Sequence, residues 1–552
     1  MTSVPAVERT GHRPHPGSHC QPHPGPPHGS RRGRSGRRAG IRVALTLATA
    51  AAMVPAGLAA QDAATAARTL TSDEEATAAH FEAIRHDPVR ALLFLRAMPK
   101  GADLHSHLSG AVYAESFIEY AADAGLCIDT AAWQFAHPPC DAAAGRPPAA
   151  DARHDAALAD PVIDAMSVRN WHPARNSGHE QFFGSFDRFR LVSTRTGDML
   201  AEVAARAADG RVSYLELMIT PAARAAAALS RMTGWDPDFQ RMRERLLAAG
   251  LRDSLARASR ELDAAEARQR ELLGCAGASP DPGCDVVVRY LYQGLRAQPP
   301  EMVFTLILAG FELAAADSRV VGLNLVQPED HPIAMRDYSL HMRMIGALRQ
   351  HYPGVGITLH AGELTAGLVP PDGLRFHIRE AVEVAGATRI GHGVAIAHER
   401  DATGLLQELA RRRILVEIAL GSNDRILGVT GSDHPLSLYM SHGVPVALAT
   451  DDEGVLRSDM THEYLKAVRE QGLGYIQFKT MARNSLEYAF AEGGSLWQDA
   501  VNLVPVPACA GNGGLDAEGC REYVAGSAKA RLQWRLERDL ADFEAAHALR
   551  MR

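Results

Sequence analysis

Hydrophobic and polar positions alternate with a helical period from Thr71 to Arg96, where Asp73, Glu74 and Glu75 form an acidic start and Phe81, Ile84, Leu92, Phe94 and Leu95 follow. Acidic residues suit the positive end of a helix dipole, so this stretch predicts one amphipathic helix. Beyond the break at Met98-Pro99-Lys100-Gly101, apolar runs of strand length recur between longer amphipathic segments, the pattern of repeated βα units. Strands are predicted over 102–107, 211–219, 286–292, 320–326, 356–360, 389–391, 414–418 and 444–450, with helices between them at, for example, 201–209, 380–385 and 404–412. Eight such units predict an α/β fold closed as a (β/α)8 TIM barrel, since an open sheet would more often show a Gly-rich nucleotide loop after its first strand.

Three features exceed that plan: an Ala/Pro-rich excursion at about 130–165, a charged helical region at about 236–274, and a helical tail from about 485 onward. The expected organisation is a disordered N-terminus with a signal peptide over 1–60, an N-terminal helical extension over 61–97, the barrel over 98–500, and a C-terminal helical tail over 501–552.

The first thirty residues are rich in Pro, His and Gly and carry no periodic pattern. An Arg-rich stretch at 31–42, an apolar run over 41–58 and small residues around Gly57-Leu58-Ala59-Ala60 follow, the order of a secretory signal peptide with cleavage near Ala59–Ala63. A membrane anchor is the competing reading, but the run is short and interrupted by Pro55. Export to the periplasm or the medium is expected, with no membrane partner after cleavage. The remaining cysteines agree with an oxidising compartment, because Cys127 and Cys140, Cys275 and Cys284, and Cys509 and Cys520 form three close pairs suited to local disulfides. Buried free thiols are the alternative. A net charge of −7 spread along the chain, with no basic stripe downstream of the N-terminus, argues against nucleic acid as a partner.

A barrel keeps its chemistry at the C-terminal ends of its strands. The first predicted strand ends in His105-Ser106-His107, and side chains two apart share one face of a strand, so both imidazoles can reach one metal. With 24 histidines in the chain, roughly one His-x-His arises by chance, so this pair gains weight only from what lies at other strand ends. The fifth strand ends in His360-Ala361-Gly362-Glu363 and the eighth in Thr450-Asp451-Asp452. His105, His107, His360 and Asp451 would together hold one Zn2+ with a position left for water. A binuclear centre bridged by a modified lysine is excluded, because no Lys occurs from 101 to 465; a carboxylate bridge would have only Glu329 after strand four.

Met98-Pro99-Lys100-Gly101, His105-Ser106-His107-Leu108, His360-Ala361-Gly362-Glu363, Arg389-Ile390-Gly391-His392-Gly393, Ser422-Asn423, His434-Pro435, Thr450-Asp451-Asp452 and the run from Asn484 to Phe490 stand in an order that resembles the adenosine deaminase family, especially its exported, growth-factor-like branch. The resemblance implies His105, His107, His360 and Asp451 as zinc ligands, Glu363 as proton donor, His392 as the residue that orients and activates the attacking water, and Asp452 as its partner. It also implies hydrolytic deamination of adenosine or 2′-deoxyadenosine, one zinc per chain, no organic cofactor, and a homodimer. Two positions depart from the pattern. Ser109 stands where many relatives place an Asp or Asn against the sugar, and Gln327, followed by Pro328 and Glu329, stands where a Gly usually faces the purine. Gln adds bulk there, and Pro328 removes the next N–H and restricts Gln327 itself. These departures keep open a related purine such as adenine, an N6-substituted adenosine or AMP, and a secreted nucleoside-binding or signalling protein without turnover. The segment His179 to Phe186 resembles the family's lid, but its aromatics at helical spacing are read as helix core and left out of the site.

Overall fold

The computed structural model describes residues 70–551 apart from Asn512; the signal peptide and the Pro/His/Gly-rich N-terminus lie outside them. Eight parallel strands run in sequence order around one sheet: β1 (Gly101–His107), β2 (Val212–Ile219), β3 (Val287–Leu295), β4 (Val320–Val326), β5 (Gly356–Ala361), β6 (Arg389–His392), β7 (Leu415–Ile418) and β8 (Val446–Leu448). Their burial is nearly continuous, as a sheet covered on both faces requires. Closure between β8 and β1 is made beyond the last ladder residues. Ser106 bridges Asp451, the His107 N–H donates to the Asp451 carbonyl at 2.9 Å, and the Asp451 N–H donates to the His105 carbonyl at 2.9 Å. The seam of the barrel is thus sewn by the same residues proposed to carry its chemistry.

The expected single helix over 71–96 is two, α1 (Ser72–Ile84) and α2 (Pro88–Ala97). Pro88 has no N–H to donate and keeps Asp87 extended (φ −95°, ψ 108°), so Asp87 instead caps α2 by accepting from the N–H groups of Val89 and Arg90. The excursion after β1 holds a short hairpin (Cys127–Asp129 with Gln134–Ala136) and a helix (Ala156–Ala165) before α3 (Gly178–Phe189) and α4 (Thr196–Asp209). After β2 come α5 (Ala223–Thr233), α6 (Phe239–Ala248) and α7 (Leu251–Leu272), the last two making up the charged helical insertion. Helices α8 (Pro300–Ala316) and α9 (Pro332–Leu348) follow β3 and β4. The helix expected at 380–385 is a single α-turn (His377–Glu380) that widens into a π turn (Ala381–Ala385).

After α10 (Tyr475–Glu487) the tail is not continuously helical. A two-stranded hairpin (Trp497–Asp499 with Val504–Pro505) and a Pro- and Gly-containing loop interrupt it before the long α11 (Ala528–Met551). All three local cysteine pairs are disulfides: Cys127–Cys140, Cys275–Cys284 and Cys509–Cys520. Two buried lysines fasten the chain around the barrel. The Lys479 ammonium lies between Glu74 of α1 (2.5 Å) and Glu544 of α11 (2.6 Å), and that of Lys100 donates to the carbonyls of Leu95, Met98 and Gly210 at 2.6–3.1 Å. Among the described residues no helix is long and apolar enough to cross a membrane.

Candidate active site

At the C-terminal rim, Nε2 of His360 lies 3.0 Å from Nε2 of His105 and 3.3 Å from Nε2 of His107, while Oδ1 of Asp451 lies 3.5 and 3.3 Å from those two nitrogens. Tetrahedral ligands about 2.1 Å from one ion are about 3.4 Å apart, so the spacing fits a common metal. The far side of each ring decides the matter. Nδ1 of His105 faces Glu417 Oε2 at 2.7 Å, Nδ1 of His107 faces Gln293 Oε1 at 2.9 Å, and Nδ1 of His360 faces Asn324 Oδ1 at 2.9 Å. Each acceptor holds the hydrogen on Nδ1, which leaves a lone pair on each Nε2. Three lone pairs and a buried carboxylate oxygen converging without a hydrogen between them form a donor set for a cation.

His392 is equally close: ligand atoms of His105, His360, His392 and Asp451 lie within 4.8 Å of one another. Its tautomer separates it from the ligands. The Leu436 N–H donates to Nδ1 of His434 (3.1 Å), so His434 carries its hydrogen on Nε2 and donates to Oδ1 of Asn423 (3.0 Å). The Asn423 amide nitrogen must then donate to Nδ1 of His392 (3.0 Å), which places the His392 hydrogen on Nε2. That nitrogen is a donor, 3.7 Å from Glu363 Oε1, and not a metal ligand. Burial pushes both rings down, His392 to about 3 and His434 to about 4, so both are neutral near pH 7. Among the described residues the hydrogen bond of the His392 ring is the one with Asn423.

Glu363 is buried, and burial, reinforced by the negative charge of Asp451, holds its carboxyl well above the usual range. The backbone that presents it is fixed by Glu329. That buried carboxylate accepts from the N–H groups of Gly362 (3.1 Å) and Glu363 (2.7 Å) and meets Nδ1 of His377 at 2.5 Å. Burial alone would raise Glu329, yet the charge and hydrogen bond of His377, together with Arg296, hold it below the ordinary value. Glu329 therefore braces the backbone that carries Glu363, with both of its oxygens engaged. Asp452 is also buried and raised by burial and by Asp451, and its Oδ1 has no hydrogen-bond partner. It rests against Gly110, where a Cβ would lie 1.5 Å from that oxygen.

Three rim residues other than glycine take positive φ: Gln327 (82°), His392 (65°) and Asp451 (61°). This conformation is uncommon for residues with a Cβ and here re-aims strand ends into the site. Gln327 takes it directly before Pro328. Arg296 Nε donates to its carbonyl (2.8 Å) and the Ala297 N–H to its Oε1 (3.0 Å), so backbone and side chain are both anchored to the end of β3.

A cavity of about 360 Å3 opens over the cluster, with His107, Glu363, Asp451 and Asp452 on its floor and Ser109 and Gln327 on its wall. Phe182, Phe183 and Phe186 of α3 also line it. The reading of these rings as helix core holds in part, since Phe182 is buried in the core, but all three roof the cavity as well.

The structure thus brings together all of the proposed ligands with Glu363, His392 and Asp452. The sequence reading gave no role to Asn423, which it named only within a motif, and missed Gln293, Asn324, Glu417 and Arg296 as site residues. The signal for Asn324 and Glu417 was present: each is a polar residue inside an apolar strand, as in Leu323-Asn324-Leu325 and Val416-Glu417-Ile418.

A parallel (β/α)8 barrel built around a His/Asp metal-binding group is the class that fold and site define. The chain belongs to the adenosine deaminase family, whose model matches residues 152–495. His105 and His107 precede that span. An adenosine deaminase of Shewanella loihica is 35% identical over 173 residues, covering 30% of this chain and 49% of the relative. One from Salmonella typhimurium is 41% identical over 138 residues, 25% of this chain and 38% of the relative. The chain therefore spans about half or less of the length of the curated relatives it matches. Among solved structures, adenine deaminase from Arthrobacter aurescens superposes with a TM-score of 0.47 at 19% identity, covering 71% of this chain and 94% of that one.

Proposed function

We propose that this protein is a zinc-dependent hydrolytic deaminase that releases ammonia from the 6-amino group of adenosine or 2′-deoxyadenosine. The observation that carries the reading is the pairing of a metal donor set with a buried carboxyl, Glu363, that burial and Asp451 hold well above the usual carboxylate range. A zinc ion held by His105, His107, His360 and Asp451 would supply the nucleophile, by making water acidic enough to lose a proton near neutral pH. Glu363 gives its proton to a ring nitrogen of the purine, so the ring accepts attack at the adjacent carbon without building up full negative charge. His392 donates from Nε2 to the attacking oxygen and orients it. Since that nitrogen already carries hydrogen, His392 orients the attacking oxygen rather than taking its proton, Asp452 offers an Oδ1 that has no hydrogen-bond partner among the described residues, and the hydroxyl proton of the adduct passes to the amino nitrogen so that ammonia leaves as the 6-oxo group forms. Phe182, Phe183 and Phe186 give the cavity an apolar face. Aromatic and apolar walls with a few polar groups suit a flat base.

Ser109 and Gln327, which line the cavity in place of the sugar- and purine-facing residues of the family resemblance, favour a second reading in which a related purine is the better substrate. An ultraviolet assay of conversion to the 6-oxo purine over adenosine, 2′-deoxyadenosine, adenine, N6-methyladenosine and AMP tests both, the leaving group being methylamine for N6-methyladenosine and ammonia for the others. Turnover of adenosine and 2′-deoxyadenosine is expected, and no conversion of any of the five refutes both readings. We further propose export of the mature protein, supported by its three disulfides, membership of the growth-factor-like branch, and assembly as a homodimer.

A further inference from the structure

The charged insertion after β2 has no part in the metal site, yet α7 carries several of its residues to a second cavity of about 630 Å3. Ser109 and Gln293 line both this cavity and the catalytic one, so the two adjoin at the edge of the metal cluster, where Gln293 also holds His107. Their linings differ in charge. The catalytic cavity presents Glu363, Asp451, Asp452 and Asp187, and the second presents Arg224 of α5 and Arg257 of α7, with Thr220 and Ser254 adding hydroxyl groups. Among the described residues Glu261 is the one carboxylate lining the second cavity, and it is in no ion pair.

Most arginines near acids in this protein are ion-paired, such as Arg206 with Glu453 at 2.7 Å or Arg252 with Glu312 at 2.7 Å. The two cavity arginines are not. Arg257 donates only to the Ser254 hydroxyl at 3.2 Å, and Arg224 makes no hydrogen bond or ion pair among the described residues. The first turn of α5, Ala223 to Ala225, also lines the cavity, and its N-cap Ala222 supplies no side-chain acceptor for the free N–H groups of that end. Two guanidinium groups outside any ion pair, the Ser254 hydroxyl and the positive end of a helix all favour an anion with several acceptor oxygens.

We infer that this cavity is a phosphate subsite, and that the chain binds a purine nucleoside 5′-monophosphate more tightly than the free nucleoside. The inference rests on the proposed deaminase reading, which seats the base over the metal cluster. The sugar then passes between Ser109 and Gln293, and the phosphate reaches Arg224 and Arg257. Ser109 fits this path, since a carboxylate at that junction would repel the phosphate. The insertion thereby gains a role in substrate selection.

Titration calorimetry with inosine and inosine 5′-monophosphate tests the subsite, because neither ligand has an amino group to lose and the result stands whether or not the protein deaminates anything. The monophosphate is expected to bind about tenfold or more tightly than inosine. The double variant Arg224→Gln/Arg257→Gln is expected to bring the ratio to within about twofold while leaving inosine affinity unchanged. Equal affinities in the native protein, no binding of the monophosphate, or a preference that survives in the double variant would each overturn the inference. Inorganic phosphate forms a separate arm. If it binds in the cavity while the monophosphate gains nothing over inosine, the cavity takes a free anion and the inference is likewise overturned.

Discussion

The two adjoining cavities are built in opposite ways. Around the metal cluster every ring is fixed from behind: His105 by Glu417, His107 by Gln293, His360 by Asn324 and His392 by Asn423. Beside it, Arg224 and Arg257 are exposed and almost unheld. A step that depends on which nitrogen bears a hydrogen needs groups that cannot turn, because an imidazole in the wrong tautomer offers a donor where a lone pair is required. Attraction of a phosphate needs only charge within reach. Rigidity is concentrated where the reaction is sensitive to it, and selection is left to side chains that can move.

Changes at the rigid rim should therefore cost most. Glu363→Gln keeps the shape but has no acidic proton, and we expect kcat to fall by about 10²–10⁴-fold with metal content unchanged. Retained turnover would remove Glu363 as the acid. Asn423→Asp comes next. A carboxylate would accept from Nδ1 of His392, moving the hydrogen off Nε2, and a loss of about 10–100-fold in kcat with little change in KM is expected. Nitrogen-15 spectra of the His392 ring should report the tautomer directly, and an unchanged ring signal would contradict the relay from Leu436. Gly391→Ala places a Cβ 2.6 Å from the His105 ring, and metal affinity should drop by about 10–100-fold in a competition titration.

The smallest effect concerns stability away from both cavities. His341 of α9 is buried with neither ring nitrogen hydrogen-bonded, and burial pushes it down to about 4. Its folded value lies below the unfolded one of about 6.5, so the unfolded chain takes up the proton first and stability falls as pH drops from about 6.5 towards 4. The loss should reach about 2 kcal/mol at pH 5. Denaturant unfolding of His341→Leu should show a flatter acid limb; an identical limb would mean that the ring is not kept neutral.

Much of the rigid region was legible in the sequence, and the reason is periodicity. Strands buried on both faces read as apolar runs, and their polar ends, His105, His360 and Asp451, stand out against them. Other features depend on contacts between distant segments. The direction of the Asn423–His434 chain is set by the backbone N–H of Leu436, and the positive φ of Gln327 by its anchors at Arg296 and Ala297. No pattern in either local sequence states them. The second cavity was illegible for a different reason: Ser109 stood out only as a neighbour of the first site, Arg224 and Arg257 lie in helical segments of ordinary surface composition, and only the packing of α7 unites the three.

The central claim is one metal, held by three histidines and an aspartate, serving a deamination. Titrating zinc into chelator-treated protein while following ammonia release from adenosine tests it most directly. Activity should be absent at the start, rise linearly and break at about one zinc per chain. A break at two, or full activity in the metal-free protein, would contradict the account.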